Sequence, residues 1–161
     1  EDDEQVLQPI PYVLLFGPNC TVFSYVRAKN IQDYGDRRLF GKHSLGVGGH
    51  IVPADGPDYL LGCLHREIKE EVNMMGSSSQ PSLVGTLMAS QTPVDRVHFG
   101  LIYTIHVKGN VQPCDAALIS GKMIPIEDLH SDTTRDQKYE TWSNILIPYL
   151  NQLYTLKGTR F

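Results

Sequence analysis

The sequence predicts a single mixed α/β layer structure, and three observations carry that expectation. Short β-branched and aromatic runs flank a central amphipathic helix. A second helical segment closes the chain. No internal repeat and no long linker divides the 161 residues, a length that suits one domain with its own core. The whole span 1–161 is therefore read as one domain, with the acidic stretch 1–8 as a loose lead-in.

The elements follow in order. Pro9 and Pro11 bracket the start of a first strand over 12–16, and Gly17-Pro18-Asn19 reads as a turn. Residues 21–27 are a second strand by their β-branched and aromatic content. Residues 30–38 are polar and loop-like. A glycine-rich strand over 44–51 carries Gly46, Gly48 and Gly49, and glycine within a strand marks close approach of backbone or ligand. A turn-rich loop spans 53–57. Asp58 is placed to cap a helix over 59–73. Strands are expected over 82–89 and 97–107, separated by a loop around Thr92-Pro93. A turn at Gly109-Asn110 and a short strand over 116–119 follow, then 123–129, a polar loop 131–138 and a final helix over 141–153.

Composition narrows the function. Hydrophobic residues make up 41% and charged residues 20%, ordinary for a globular chain. The net charge of −4 provides no basic field for a nucleic-acid duplex or an anionic membrane. A small anionic substrate would then need local positive charge or a metal ion. The longest apolar runs are too short to span a bilayer, and no leader pattern is visible. Cys20, Cys63 and Cys114 are odd in number and widely spaced, without a CxxC pair, so free thiols in the cytoplasm are expected rather than a zinc site.

The segment richest in chemistry is Arg66-Glu67-Ile68-Lys69-Glu70-Glu71. At about 100° per residue, Leu61, Leu64, Ile68 and Val72 form one apolar stripe. Glu67 and Glu71, one turn apart, fall beside the stripe, and Glu70 lies just outside them. Three carboxylates on one edge repel each other by a few tenths of a kcal/mol per exposed pair. A divalent cation reverses that sign, and carboxylate oxygens are the preferred ligands of Mg²⁺. The competing interpretation is a solvated acidic face with an Arg66–Glu70 pair.

Gly48-Gly49-His50-Ile51, followed by Asp58 and by Arg66-Glu67-Ile68-Lys69-Glu70-Glu71-Val72-Asn73-Met74, resembles the Nudix box. That pattern runs Gly, five residues, Glu, seven residues, then Arg-Glu-U-x-Glu-Glu-x-Gly-U, with U a bulky aliphatic. Residues 123–129 also look like the family's segment before its last helix. Three departures stand out. Eight residues separate Gly49 from Asp58, a three-residue excess located in the loop 53–57. Asp58 replaces the first Glu. Asn73 replaces the closing Gly, as the next best residue for a left-handed cap.

The resemblance implies an α/β/α sandwich with a mixed central sheet, and a hydrolase cleaving a phosphoanhydride in a nucleoside diphosphate linked to another moiety. It implies Mg²⁺ or Mn²⁺ on Glu67, Glu70 and Glu71 with the Gly49 carbonyl, and Arg66 as the residue orienting the glutamates. A homodimer is the default expectation. An extra acid near the last helix has no counterpart at Ser120-Gly121-Lys122; Glu127, Asp128 and Asp115 stand nearby. The competing function is a ligand-binding or regulatory domain without catalysis. An isoprenoid diphosphate isomerase lacks its further acids and reactive cysteine here.

Other residues carry two readings each. Arg37 and Arg38, with Lys42 and His43, could contact phosphates or be plain surface. Gly48, Gly49 and His50 would border the substrate, with His50 either a ligand or a hydrogen-bonder. Tyr34, Tyr139 and Trp142 could stack on a base, though Trp142 at helical spacing to Ile145 and Leu146 also suits the core. Cys63, with no nearby base in sequence, is expected to be inert. Specificity would reside in the loops 30–38, 53–57 and 131–138, so the substrate is left open.

Overall fold

The computed structural model describes residues 6–28 and 39–156. At its centre lies β1 (Gln8–Gly17), which begins earlier than the apolar run suggests. It pairs in parallel with β7 (His98–His106), from Gln8 opposite His98 to Phe16 opposite His106. Pro9 and Pro11 therefore lie inside the strand. The other side of β1 at that end meets only β4 (Gly46–Val47), opposite Val13 and Leu14. The missing proline donors thus fall where no ladder partner is waiting.

Around β1 the order is β3 (His43–Ser44), β2 (Thr21–Arg27), β1, β7, β6 (Ser82–Leu87), with β9 (Leu118–Pro125) against β2. Only the β1–β7 pairing is parallel, so the seven-stranded sheet is mixed. A two-stranded sheet joins β5 (Val72–Met74) to β8 (Val111–Pro113).

Side chains of β1 alternate between two cores. Ile10, Tyr12, Leu14 and Phe16 face a cluster with Ile126, Leu129, Trp142, Leu146, Ile147, Leu150 and Leu153. Val13 and Leu15 face another with Leu64, Ile68, Val72, Tyr103 and Ile105. A strand buried on both faces reads as a continuous apolar run, which is how 12–16 reads. Helix α1 (Tyr59–Glu71) covers the second face. The first is covered by α3 (Ile126–Ser131), α5 (Thr141–Leu146) and α6 (Leu150–Thr155). The expected α/β/α sandwich is present.

Several boundaries differ for identifiable reasons. Helix α1 stops at Glu71 rather than 73, because Val72 turns extended and Val72–Met74 pairs with β8. Asn73 consequently lies in a strand and makes no left-handed cap. The run 97–107 is not all strand: Thr92 caps a short helix α2 (Pro93–Val97) through a reciprocal pair with Asp95. The strand expected over 116–119 starts only at Leu118 but runs on to Pro125 as β9, which takes in the start of 123–129. A four-residue helix α4 (Arg135–Lys138) lies in the expected polar loop. Pro148 divides the final helix, with a 3₁₀ turn Ile147–Tyr149 between α5 and α6. The expected glycine-rich strand is two short pieces, β3 and β4, flowing into loop at Gly48.

Candidate active site

Helix α1 sets the site. Asp58 caps it as expected, its Oδ1 accepting from the Leu61 N–H at 3.2 Å. The apolar stripe goes down onto the sheet, with Leu64, Ile68 and Val72 buried. That rotation carries Glu67 and Glu71 to the edge where the helix meets the glycine-rich segment. Both are buried, at 7% and 6% exposure, whereas Glu70 stands outside on the exposed side. The wheel reading of the three carboxylates thus holds in detail.

A cavity of about 380 Å³ opens against this edge. Glu67, Glu71 and Arg66 form one wall with Gly48, Gly49 and His50; Tyr12, Glu140 and Trp142 line another. Glu71 is the least satisfied member. Burial pushes its carboxyl up to about 8, opposed by Arg27 and reinforced by Glu67 and Asp115. A backbone hydrogen bond from Gly48 reaches it, yet Oε2 is buried with no partner. Burial also raises the Glu67 carboxyl, against the pull of Arg66. Among the described residues, no three His, Cys, Asp or Glu side chains close into a cation cage. The donor set still suits a hard cation, which usually takes one or two carboxylates and keeps several waters.

Arg66 is fully engaged. Its Nε donates to Asp55 Oδ1 at 2.7 Å, Nη1 to Glu67 Oε1 at 2.6 Å and to Glu70 Oε2 at 3.3 Å, and Nη2 to the His50 carbonyl at 2.9 Å. It ties the glycine-rich segment, the preceding loop and two glutamates into one unit. The Arg66–Glu70 pair of the solvated-face reading exists, but as one of six hydrogen bonds among the described residues.

Asp55 changes the reading of the loop. It ends a 3₁₀ turn (Pro53–Asp55), its Oδ2 accepts from the Val52 N–H at 2.8 Å, and its side chain is 1% exposed. The partner of Arg66 is therefore Asp55, not Asp58, which acts only as the helix cap. Five residues also separate Asp55 from Gly49, the spacing that the Nudix pattern gives its first acid. The three extra residues accordingly follow the acid, at Gly56-Pro57-Asp58. That Gly–five–acid spacing was the overlooked signal. Gly62 makes the arrangement fit: a Cβ there would overlap the Asp55 carbonyl, so only glycine lets the turn press onto α1.

Gly49 plays the matching part on the other side. A Cβ on it would run into the Glu67 carboxylate. Gly49→Ala should therefore push that carboxylate off its position while leaving the fold intact. We expect kcat/KM for the chain's substrate to fall by roughly 10²-fold with a nearly unchanged melting temperature; a large loss of Tm instead would assign Gly49 to the core.

The remaining expected residues divide clearly. His50 Nε2 lies 2.9 Å from His98 Nε2, and His98 Nδ1 lies 2.7 Å from the Val94 carbonyl. A carbonyl only accepts, so His98 donates from Nδ1 and, when neutral, receives from His50 at Nε2. His50 thus serves as a hydrogen-bonder on the cavity rim. Lys42 donates to the Gln137 carbonyl, and His43 packs on Tyr139, 5.1 Å between ring centroids; neither lines the cavity. Arg37, Arg38 and Tyr34 lie outside the described residues. Trp142 is both core and cavity wall, edge-on to Tyr12 at 5.5 Å. Cys63 is buried, donates to the Gly49 carbonyl at 3.4 Å, and burial pushes its thiol up to about 11, which suits an inert packing role. The described cysteines are all free thiols.

Glu140 was not anticipated. It caps α5, accepting from the Trp142 and Ser143 N–H groups at 2.8 and 3.0 Å, and it also accepts from the Ser143 hydroxyl and from Tyr12 Oη at 2.8 Å. Tyr12 Oη in turn accepts from the Gly46 N–H at 2.9 Å. The last helical region thereby holds the glycine-rich segment in place.

Comparison with known proteins gives a consistent result. No family model matches the chain. It is 29% identical over 157 residues to Protein YmaB of Bacillus subtilis, covering 93% of this chain and 74% of that one. Among solved structures it superposes on Tm1382, described as a candidate Nudix hydrolase, with a TM-score of 0.72 and 28% identity, over 94% of this chain and 74% of the other. The chain has the Nudix fold. The Nudix domain of Shewanella oneidensis NrtR, solved with ADP ribose, shares the fold at 15% identity, with a TM-score of 0.67 over 93% of this chain and 90% of that one. In this chain the glutamate-bearing helix packs against one face of the mixed sheet. Among the described residues, no helix is long and apolar enough to cross a membrane.

Proposed function

We propose that this Nudix chain is a Mg²⁺- or Mn²⁺-dependent hydrolase that cleaves a phosphoanhydride bond in a nucleoside diphosphate linked to another moiety. The reading is carried by Glu71, whose Oε2 is buried without a partner on the wall of the cavity, next to Glu67. A buried carboxylate oxygen left alone is costly, and a cation offsets that cost. Glu67 and Glu71 would hold the ion from the cavity wall, with Glu70 from the solvent side and the Gly49 carbonyl as a backbone ligand. When bound, the ion supplies phosphoryl polarisation and activation of a water.

The chain's own groups do the positioning. Arg66 holds Glu67 and Glu70 by direct hydrogen bonds and links them to the His50 backbone. The segment Gly48–His50 borders the phosphates, and apolar walls from Ile10, Leu39 and Phe40 exclude water from the attached moiety. The whole of 1–161 would work as one domain in the cytoplasm, and a homodimer is compatible with the reading.

The test is incubation with Mg²⁺ and a panel of diphosphates, including ADP-ribose, dinucleoside polyphosphates, nucleotide sugars and coenzyme A. The expected result is release of phosphorylated products that stops with EDTA. Tight binding of one compound with no turnover of any would replace the hydrolase by a ligand-binding domain.

A further inference from the structure

Among the described residues two arginines line the cavity, and they are in opposite states. Arg66 is spent on acceptors from Asp55, Glu67, Glu70, His50 and Cys63. Arg27, at the end of β2, is half-buried with its guanidinium over the Tyr25 ring at 5.6 Å. Its Nε is buried and has no hydrogen-bond partner, and Glu140 and Glu71 act on the guanidinium by charge without an ion-pair contact among the described residues. A buried unpaired guanidinium donor costs stability, so its persistence on a cavity wall calls for a ligand that completes it.

Two further buried polar atoms share this state and this cavity. Trp142 Nε1 is a donor without an acceptor, and Glu71 Oε2 is an acceptor without a donor. The complement of that set is a molecule presenting anionic oxygen to Arg27, an acceptor to Trp142, and a cation to Glu71. The acids lining the same cavity, Glu67, Glu71, Asp95 and Glu140, would repel a bare anion. An anion entering with a cation meets both needs at once.

We propose that Arg27 is a substrate-binding residue of this chain, gripping a diphosphate oxygen from the cavity wall, within electrostatic reach of Glu71, while Trp142 Nε1 donates to the attached moiety. This rests on the diphosphate reading given under Proposed function. It adds an anion contact on β2 to those that the sequence suggested for Arg37 and Arg38, which lie outside the described residues.

The test is calorimetric titration with α,β-methylene-ADP, whose P–C–P bridge resists hydrolysis, in the presence of Mg²⁺. Arg27→Met should weaken binding roughly 10- to 100-fold, the worth of a charge-assisted hydrogen bond. Arg27→Lys should recover part of the loss, since it keeps charge but not the planar fork. The Arg27→Met melting temperature should be equal or higher, because an unpaired buried donor is removed. Binding by Arg27→Met equal to wild type would overturn the assignment. So would a melting temperature several degrees lower, which marks a structural residue, or wild type that fails to bind the probe at millimolar concentration. If binding is lost in Arg27→Met but the wild type turns over no diphosphate, Arg27 stands and the hydrolase reading falls. Turnover with binding insensitive to Arg27 gives the reverse.

Discussion

Glu71→Gln should reduce turnover of the chain's substrate by roughly 10³-fold, equivalent to about 4 kcal/mol of transition-state stabilisation. The amide keeps the size of the side chain but loses the charge that a cation needs. Its effect on stability should run the other way. Burial raises the folded-state pKa of Glu71 from 4.5 to about 8. A carboxyl with a raised folded pKa holds its proton in the folded state while the unfolded chain has already lost it. With no cation bound, stability therefore falls as pH rises from about 4.5 to about 8 and levels off above that. The contribution is of order a few kcal/mol. Thermal melts at pH 5 and pH 9 should show a decline in the wild type that Glu71→Gln largely removes. Mg²⁺ should raise the wild-type Tm at pH 9 more than that of the variant. A wild-type melt indifferent to Mg²⁺ at pH 9 would count against a cation at Glu71.

Glu140→Ala should cause the largest loss of stability, about 3–5 kcal/mol, or roughly 10 °C in Tm for a chain of this length. The side chain is buried at 8% exposure. Its removal strips α5 of its cap and leaves Tyr12 Oη and the Ser143 hydroxyl without their shared acceptor. Activity should fall as well, because Tyr12 Oη accepts from the Gly46 N–H and so links Glu140 to the segment bordering the glutamates. Glu140→Gln retains one acceptor and should recover part of the stability. Differential scanning calorimetry of the three proteins decides the matter; an alanine variant melting within a degree or two of wild type would show the network to be dispensable.

How much of this was legible beforehand depends on the range of the interactions involved. The helix 59–71, its Asp58 cap, its buried stripe and the position of Glu67 and Glu71 beside that stripe all follow from local periodicity, since one turn of helix fixes which side chains share a face. The burial of Cys63 and the His50–His98 hydrogen bond are in line with the plainer readings of those two residues. The end of α1 was not, because Val72–Met74 pairs with Val111–Pro113, some forty residues on in sequence, and tertiary pairing overrides helix propensity.

By itself, the sequence determined the layer class, the carboxylate edge and the Nudix resemblance, all of which are encoded in short-range spacing. Tertiary structure alone decided that Asp55 holds Arg66, that Glu140 reaches Tyr12 and Ser143, and that the Arg27 Nε lies on the cavity wall without a hydrogen-bond partner. The physical reason is common to the three. Burial, and the pairing or isolation of a charge, depend on which distant segments the folded chain brings within a few ångströms. Asp55 left a partial trace in its spacing from Gly49. Glu140 and Arg27 left none, because residue type alone does not say whether a charge will be exposed, satisfied or buried alone.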